Sequence, residues 1–253
     1  MKNAHLICTM VILLTLAFAV SVYPLEVLEL GGNTEGANWD LQALQQFPEV
    51  AGVEINYTTT KDRTLAELDI ESFDVLWIGQ GEIQENTYFF NEDTENGIKA
   101  FVEAGGIMVT ANQDSDGGNP CGVAWLPVPI TGVEASDHSC TPTADAGDLF
   151  TVPNEINPDS LNLDDTWTQP DEDFVVLATS GANTPFVMLR HGNGFYLLTD
   201  METHNAGEVT ANAPMHENIL HFIIKWREEH LLSVELLGRM IAPWGKIRSE
   251  KGL

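Results

Sequence analysis

Residue types suited to chemistry gather at a few places in the chain. Asp200-x-Glu202-x-His204 sets two carboxylates and an imidazole at every second position. In an extended segment such positions project to one face, so the three groups can converge. They would then bind a divalent metal, with His204 oriented by a carboxylate, or form an acid–base set. Two carboxylates and one histidine leave a closed zinc site a ligand short, so a second loop would have to contribute. Asn112-x-Asp114-x-Asp116-Gly117 matches the first half of a calcium loop, in which alternate oxygens and a glycine turn wrap a hard cation. Its twelfth position is Val123 instead of a bidentate Glu, and no helix pair flanks it. That pattern argues against an EF-hand and leaves open a different loop holding Ca2+ or another divalent cation. Glu82 with Asp200 or Glu202 offers the carboxylate pair that glycoside hydrolysis uses. Cys121, in Asn-Pro-Cys-Gly, is either a nucleophile coupled to His204 or a disulfide partner of Cys140.

These groups need elements to position them. Leu25–Leu30 (LEVLEL) reads as a strand stopped by Gly31-Gly32, and Asn38–Phe47 places Trp39, Leu41, Leu44 and Phe47 at helical spacing before Pro48. Val53–Tyr57 alternates as a second strand. Thr64-x-x-Glu67 is a capping-box pattern for a short helix. Asp74–Ile78 (DVLWI) is an apolar run of buried-strand type. Thr94 is read as the N-cap of a helix burying Ile98, Phe101 and Val102, closed by Gly105-Gly106 and followed by the strand Ile107–Ala111. Strand and helix alternating at this spacing predict an α/β fold with a mostly parallel sheet and helices on both faces. Ser115 to Asp173 breaks the rhythm, with seven of the twelve prolines, and is read as a long insertion. Phe174–Ala178, Phe186–Arg190 and Phe195–Thr199 are three further strands, the last two forming a C-terminal β-hairpin through His191-Gly192-Asn193-Gly194, whose Asn-Gly favours a hairpin turn. A final helix is expected to start at Pro214 as its first residue and to bury Met215, Ile219, Phe222, Ile223 and Trp226.

Several short motifs carry a family resemblance. A first strand runs into GGNTEGANWDLQAL, a helix ending in Phe-Val-Glu-Ala-Gly-Gly enters the strand IMVTA, and a C-terminal block reads VLATS, then RHGNGFYLLT, then Glu-Asn-Ile-Leu at 217–220. This order resembles the class I glutamine amidotransferase-like fold, related to flavodoxin-like sheets, and within it the ThuA-like branch. Catalytic members carry a Cys on the turn that here reads Asn112-Gln113-Asp114, so the resemblance implies a domain lacking the nucleophile. In open parallel sheets ligands bind outside the carboxyl ends of the strands, where strand order reverses. That rim is expected to hold Glu35, Asn38, Gln80, Glu82, Asn112 and Gln113 as ligand-binding residues, with Asn112, Asp114 and Asp116 for a metal, and Asp200, Glu202 and His204 as catalytic candidates; His216 faces the same rim or caps a helix. The expected function is binding of a small polar ligand such as a carbohydrate. Two alternatives stay open: a carboxylate- or metal-dependent hydrolase at Asp200, Glu202 and His204, and a structural or interaction module.

Composition sets the remaining bounds. The 253 residues carry 38 Asp and Glu against 11 Lys and Arg, a formal net charge of -27. Between Val22 and Ile224 stand 34 acids and four cations, leaving no basic face for nucleic acid. Lys2 followed by the apolar run Val11–Val20 and Ala17-x-Ala19 has the layout of a secretory signal peptide over residues 1–22. The run is too short for an ordinary membrane span, so no transmembrane segment is expected after cleavage. The expectation that follows is a secreted, periplasmic or extracellular protein in which Cys121 and Cys140 form a disulfide that staples the insertion 115–173. Closing that loop would contribute about 3 kcal/mol in the chain-entropy model. Residues 23–230 form the α/β domain, and 231–253 a basic C-terminal tail.

Overall fold

A computed structural model describes residues 23–30, 38–61, 64–66, 68–79, 83–84, 90–111, 113–114, 123–135, 139–168, 170–203 and 205–250, the side chains of 83–84, 113–114 and 231–250 excepted. The expected signal peptide, residues 1–22, lies outside these residues. In chain order the elements are β1 (Leu25–Leu30), α1 (Trp39–Leu44), β2 (Glu49–Val50), β3 (Val53–Thr60), β4 (Val75–Ile78), β5 (Ile83–Gln84), α2 (Glu92–Ala104) and β6 (Ile107–Thr110). Then come β7 (Gln113–Asp114), β8 (Thr131–Val133), β9 (Thr141–Pro142), β10 (Thr166–Thr168), β11 (Phe174–Ser180), β12 (Asn183–His191), β13 (Gly194–Thr199) and α3 (Ala206–Glu250).

The main sheet runs β2-β3-β1-β4-β6-β13-β12-β10-β8, with β11 on β12 and β9 on β11. Its central pairs, β3–β1, β1–β4, β4–β6 and β6–β13, are all parallel. Taken in chain order, those strands stand 2-1-3-4-5, the order of a doubly wound sheet whose direction of winding reverses between β1 and β4. The expected mixed α/β architecture is therefore present. The β12–β13 hairpin and the pairs β10–β12 and β8–β10 extend it in antiparallel sense.

Alternation along each central strand explains the layers. Leu25, Val27, Val75, Trp77, Ile107, Val109, Phe195 and Leu197 face a core shared with Leu44 of α1 and with Met215, Ile219, Leu220 and Ile223 of α3. Leu28, Leu30, Leu76, Ile78, Met108, Tyr196 and Leu198 face the other core, with Ile98, Phe101 and Val102 of α2 and with Trp125 and Trp167. Strands buried on both faces read as continuous apolar runs, as VLWI and IMVT do. On the first face, Arg227 of α3 reaches Asp74 beside β4 at 2.5 Å and fastens the helix to the sheet.

Four local expectations are corrected. The N-cap of α2 is Asn91, whose Oδ1 accepts from Thr94 N at 2.9 Å, while Thr94 Oγ1 donates to Thr64 O. Among the described residues Thr64 starts no helix; Leu65 adopts a left-handed φ of 53°, and Glu67 is outside the described residues. Helix α3 begins at Ala206, eight residues before Pro214. Asn205 Oδ1 accepts from the N–H groups of Gly207 and Glu208, and Glu208 Oε2 accepts from Asn205 N, a reciprocal cap that leaves Pro214 inside the helix. The hairpin turn is Gly192-Asn193, with positive φ at Gly192 only, as a glycine-first II′ turn requires. Gly194 is needed for packing: a Cβ there would stand 2.0 Å from Gly106 O.

The insertion is also more ordered than expected. Strands β8 and β10 give the sheet its far edge, and Trp125 and Trp167 are fully buried. No disulfide staples it at Cys140, which is a free, buried thiol packed in the first core; Cys121 lies outside the described residues. Helix α3 runs on to Glu250, through most of the residues 231–253 read as a basic tail.

Candidate functional site

The reversal point between β1 and β4 carries a set of buried polar side chains. Glu29, near the end of β1, shares the odd-numbered face of Leu25 and Val27 and is fully buried. Asn38 Nδ2 donates to both of its oxygens (3.1 and 3.0 Å), and Thr59 Oγ1 of β3 donates to Oε2 at 2.6 Å. Burial raises the Glu29 pKa, against the lowering effects of these two donors and of Lys61. Asn38 is also the N-cap of α1, its Oδ1 accepting from Leu41 N at 2.9 Å. One amide thereby starts the helix and holds the carboxyl group beneath it.

Asp40 follows in the first turn of α1 and is buried; Thr203 Oγ1 donates to its Oδ1 at 2.7 Å. Gly79, just after β4, makes room, since a Cβ there would lie 2.6 Å from Asp40 Oδ2. Trp77, opposite Glu29 in the β1–β4 register, is stacked on His216 of α3, ring centroids 5.6 Å apart. Burial pushes the His216 pKa down to about 4, so its ring is neutral at neutral pH.

The sequence-derived candidates distribute as follows. Asn38 belongs to this cluster. Glu35, Gln80, Glu82, Asn112, Asp116 and His204 lie outside the described residues, and Gln113 and Asp114 are seen only as the backbone of β7, paired with β5. Asp200 and Glu202 flank Met201, which bridges to Leu163, and the backbone ties Asp164 N to Asp200 O and Glu202 N to Asn162 O (both 3.0 Å). Glu202 Oε2 accepts from Asn162 Nδ2 at 2.6 Å. Asp200 is 1 % exposed, and its Oδ1 has no hydrogen-bond partner among the described residues. Burial holds its pKa well above the carboxylate range; Thr166 works against this, and Asp165 and Asp164 add to it. Beside it, burial first and then the charges of Asp200 and Asp159 push the Cys140 thiol up to about 12. Asp200 therefore points into a buried acidic corner under the insertion. Among the described residues no group of three or more His, Cys, Asp or Glu side chains is placed to hold a metal ion.

Glu29, Asp40, Trp77 and Thr203 were not anticipated. For Glu29 a signal existed: it sits in phase with Leu25 and Val27, so the strand that buries them buries a carboxyl group too.

A separate open cleft of about 160 Å³ lies along α3, lined by Asp148, Val152, His221, Phe222, Lys225, Trp226 and Glu229. Trp226 packs on Phe195 at the opposite, amino-terminal end of β13. The two places are thus at different ends of the sheet.

No protein-family model matches the chain, and no curated protein is similar to it. Solved structures share its fold. A cytoplasmic protein of Salmonella typhimurium LT2, STM1381, is similar over 79% of this chain and 99% of that one, at 19% identity and a TM-score of 0.53. A second Salmonella typhimurium cytoplasmic protein, STM3548, is similar over 80% and 98%, at 16% identity and a TM-score of 0.52. A cold-adapted β-galactosidase from Rahnella sp. R3 is similar over 83% of this chain but only 32% of its own, at 14% identity and a TM-score of 0.50. Likeness at these identities defines the fold: a doubly wound α/β domain. The expectation of a secreted, disulfide-bonded protein is corrected at this point. Cys140 is a free thiol in the core, and both Salmonella proteins of this fold are described as cytoplasmic.

Proposed function

We propose that the chain is an amidotransferase-like domain of the ThuA-like kind that binds a small polar ligand, a sugar or another polyol, at the carboxyl ends of β1, β3 and β4. One observation supports the reading. At the point where strand order reverses, two buried carboxyl side chains, Glu29 and Asp40, are each gripped by neutral donors from other elements. Such a layer fixes the orientation of the amide and hydroxyl groups above it, and a few fixed polar groups are what orient a ligand in a pocket. Thr59 is exposed at the rim, while Glu29 lies directly beneath.

Calorimetric titration of the full chain with glucose, galactose, glycerol and myo-inositol tests this. Binding of at least one is expected, and Thr59→Val, which keeps the shape and removes the hydroxyl, should weaken it about tenfold, the loss of roughly one good hydrogen bond. Absence of binding by all four, or an unchanged affinity in the variant, contradicts the proposal.

The hydrolase reading rests on Asp200. Burial raises the Asp200 pKa, the direction of shift that suits a general acid. Against it, Asp200 is enclosed and Glu202 is tied to Asn162, so the polyol-binding reading is the one we adopt.

A further inference from the structure

Trp77 of β4 and His216 of α3, both fully buried where the helix packs on the sheet, share an unmet need. Their planes are inclined by 24° with centroids 5.6 Å apart. His216 Nδ1 lies 3.0 Å from Asn212 O. A carbonyl oxygen only accepts, so Nδ1 carries the ring proton and Nε2 presents a lone pair. Neither His216 Nε2 nor Trp77 Nε1 has a hydrogen-bond partner among the described residues. One of these atoms is an acceptor and the other a donor. Near-parallel stacking keeps each from serving the other, because both hydrogen-bonding directions lie in the ring planes. Buried polar groups in folded proteins are satisfied by protein, by ordered water or by a ligand.

We infer that a buried hydroxyl group is held at this pair, donating its proton to His216 Nε2 and accepting from Trp77 Nε1–H. A hydroxyl is the group that does both at one oxygen; a carboxylate would meet the lone pair of His216, and an ammonium would meet the indole N–H. The surroundings are polar on one side, since Glu29 stands opposite Trp77 in the β1–β4 register and Asn212 lies one turn before His216. An internal water and a polyol hydroxyl reaching down from the rim share this chemistry. The water source is independent of the ligand-binding proposal above, and the polyol source rests on it.

The test is nuclear magnetic resonance on the wild-type, 15N-labelled full chain, with Trp77→Phe used only to assign the indole signal. Without additive, a cross-peak from the Trp77 indole proton to a long-lived water is expected, together with a His216 protonated at Nδ1 and hydrogen-bonded at Nε2. On adding glycerol, persistence of the water cross-peak assigns the site to water. Its replacement by a cross-peak to glycerol assigns it to the ligand. Either outcome sustains the inference. An indole proton contacting neither, or a His216 ring protonated at Nε2, overturns it. Binding of glycerol with shifts at Asn38 and Thr59 would in that case leave the rim proposal standing.

Discussion

His216 offers the sharpest quantitative test, because its burial makes stability depend on pH in a predictable direction. Its folded pKa of about 4 stands below the unfolded value of 6.5. As pH falls, the unfolded chain takes up this proton first, and the folded state loses ground. The contribution of the neutral ring is complete above pH 6.5, erodes between 6.5 and about 4, and changes no further below that. At about 1.4 kcal/mol per pH unit, the loss across the window is about 3 kcal/mol. Glu29 and Asp200 act in the opposite sense. Their raised pKa values mean that the folded state keeps its protons longer, so their contribution declines as pH rises through the folded values. Comparing wild type with His216→Leu removes these shared terms. Urea unfolding at half-unit steps from pH 7.5 to 4.5 should show the stability difference between the two proteins shrinking by about 2 to 3 kcal/mol toward acid. A difference that stays flat across that range, or a His216 resonance titrating near 6.5, refutes the burial argument.

Other consequences are local. Gly79→Ala places a methyl group against Asp40, which must leave Thr203; a loss of about 1–3 kcal/mol in chemical unfolding is expected, and an unchanged midpoint would show that the carboxyl group is not held there. Asn205→Ala removes the reciprocal cap of α3 and should cost about 1 kcal/mol, whereas Pro214→Ala, inside the helix, should not destabilise. Cys140, enclosed and with its thiol pushed up to about 12, should resist alkylation in the native protein at pH 8 and react in urea; peptide mapping that finds it modified without denaturant would contradict its placement.

Much of the fold was legible because apolar periodicity reports burial directly. VLWI, IMVT and FYLLT read as strands and are strands, and Asn38 reads as a helix start and caps α1. What escaped depended on partners distant in sequence. Strands β8 and β10 are three residues each and are held by pairing along the far edge of the sheet, which no local pattern records. At the start of α3 two signals compete, Pro214 and Asn205-x-x-Glu208, and the reciprocal cap at Asn205 wins. Cys121 and Cys140 suggested a bridge by count alone, and packing put Cys140 in the core instead. The site was legible only in part. Asn38 was found through its position after β1, but Asp40 gains its meaning from Gly79 and Thr203, which lie 39 and 163 residues further on.

The central claim concerns place: that a polyol binds where β1 and β4 part. Mapping backbone amide shifts of the labelled full chain during titration with the tightest-binding sugar or polyol examines it most directly. Shifts concentrated at Asn38, Thr59, Gly79 and Thr203 are the predicted result. Shifts concentrated instead at Asp148, Phe222 and Trp226, around the cleft at the other end of the sheet, would contradict it.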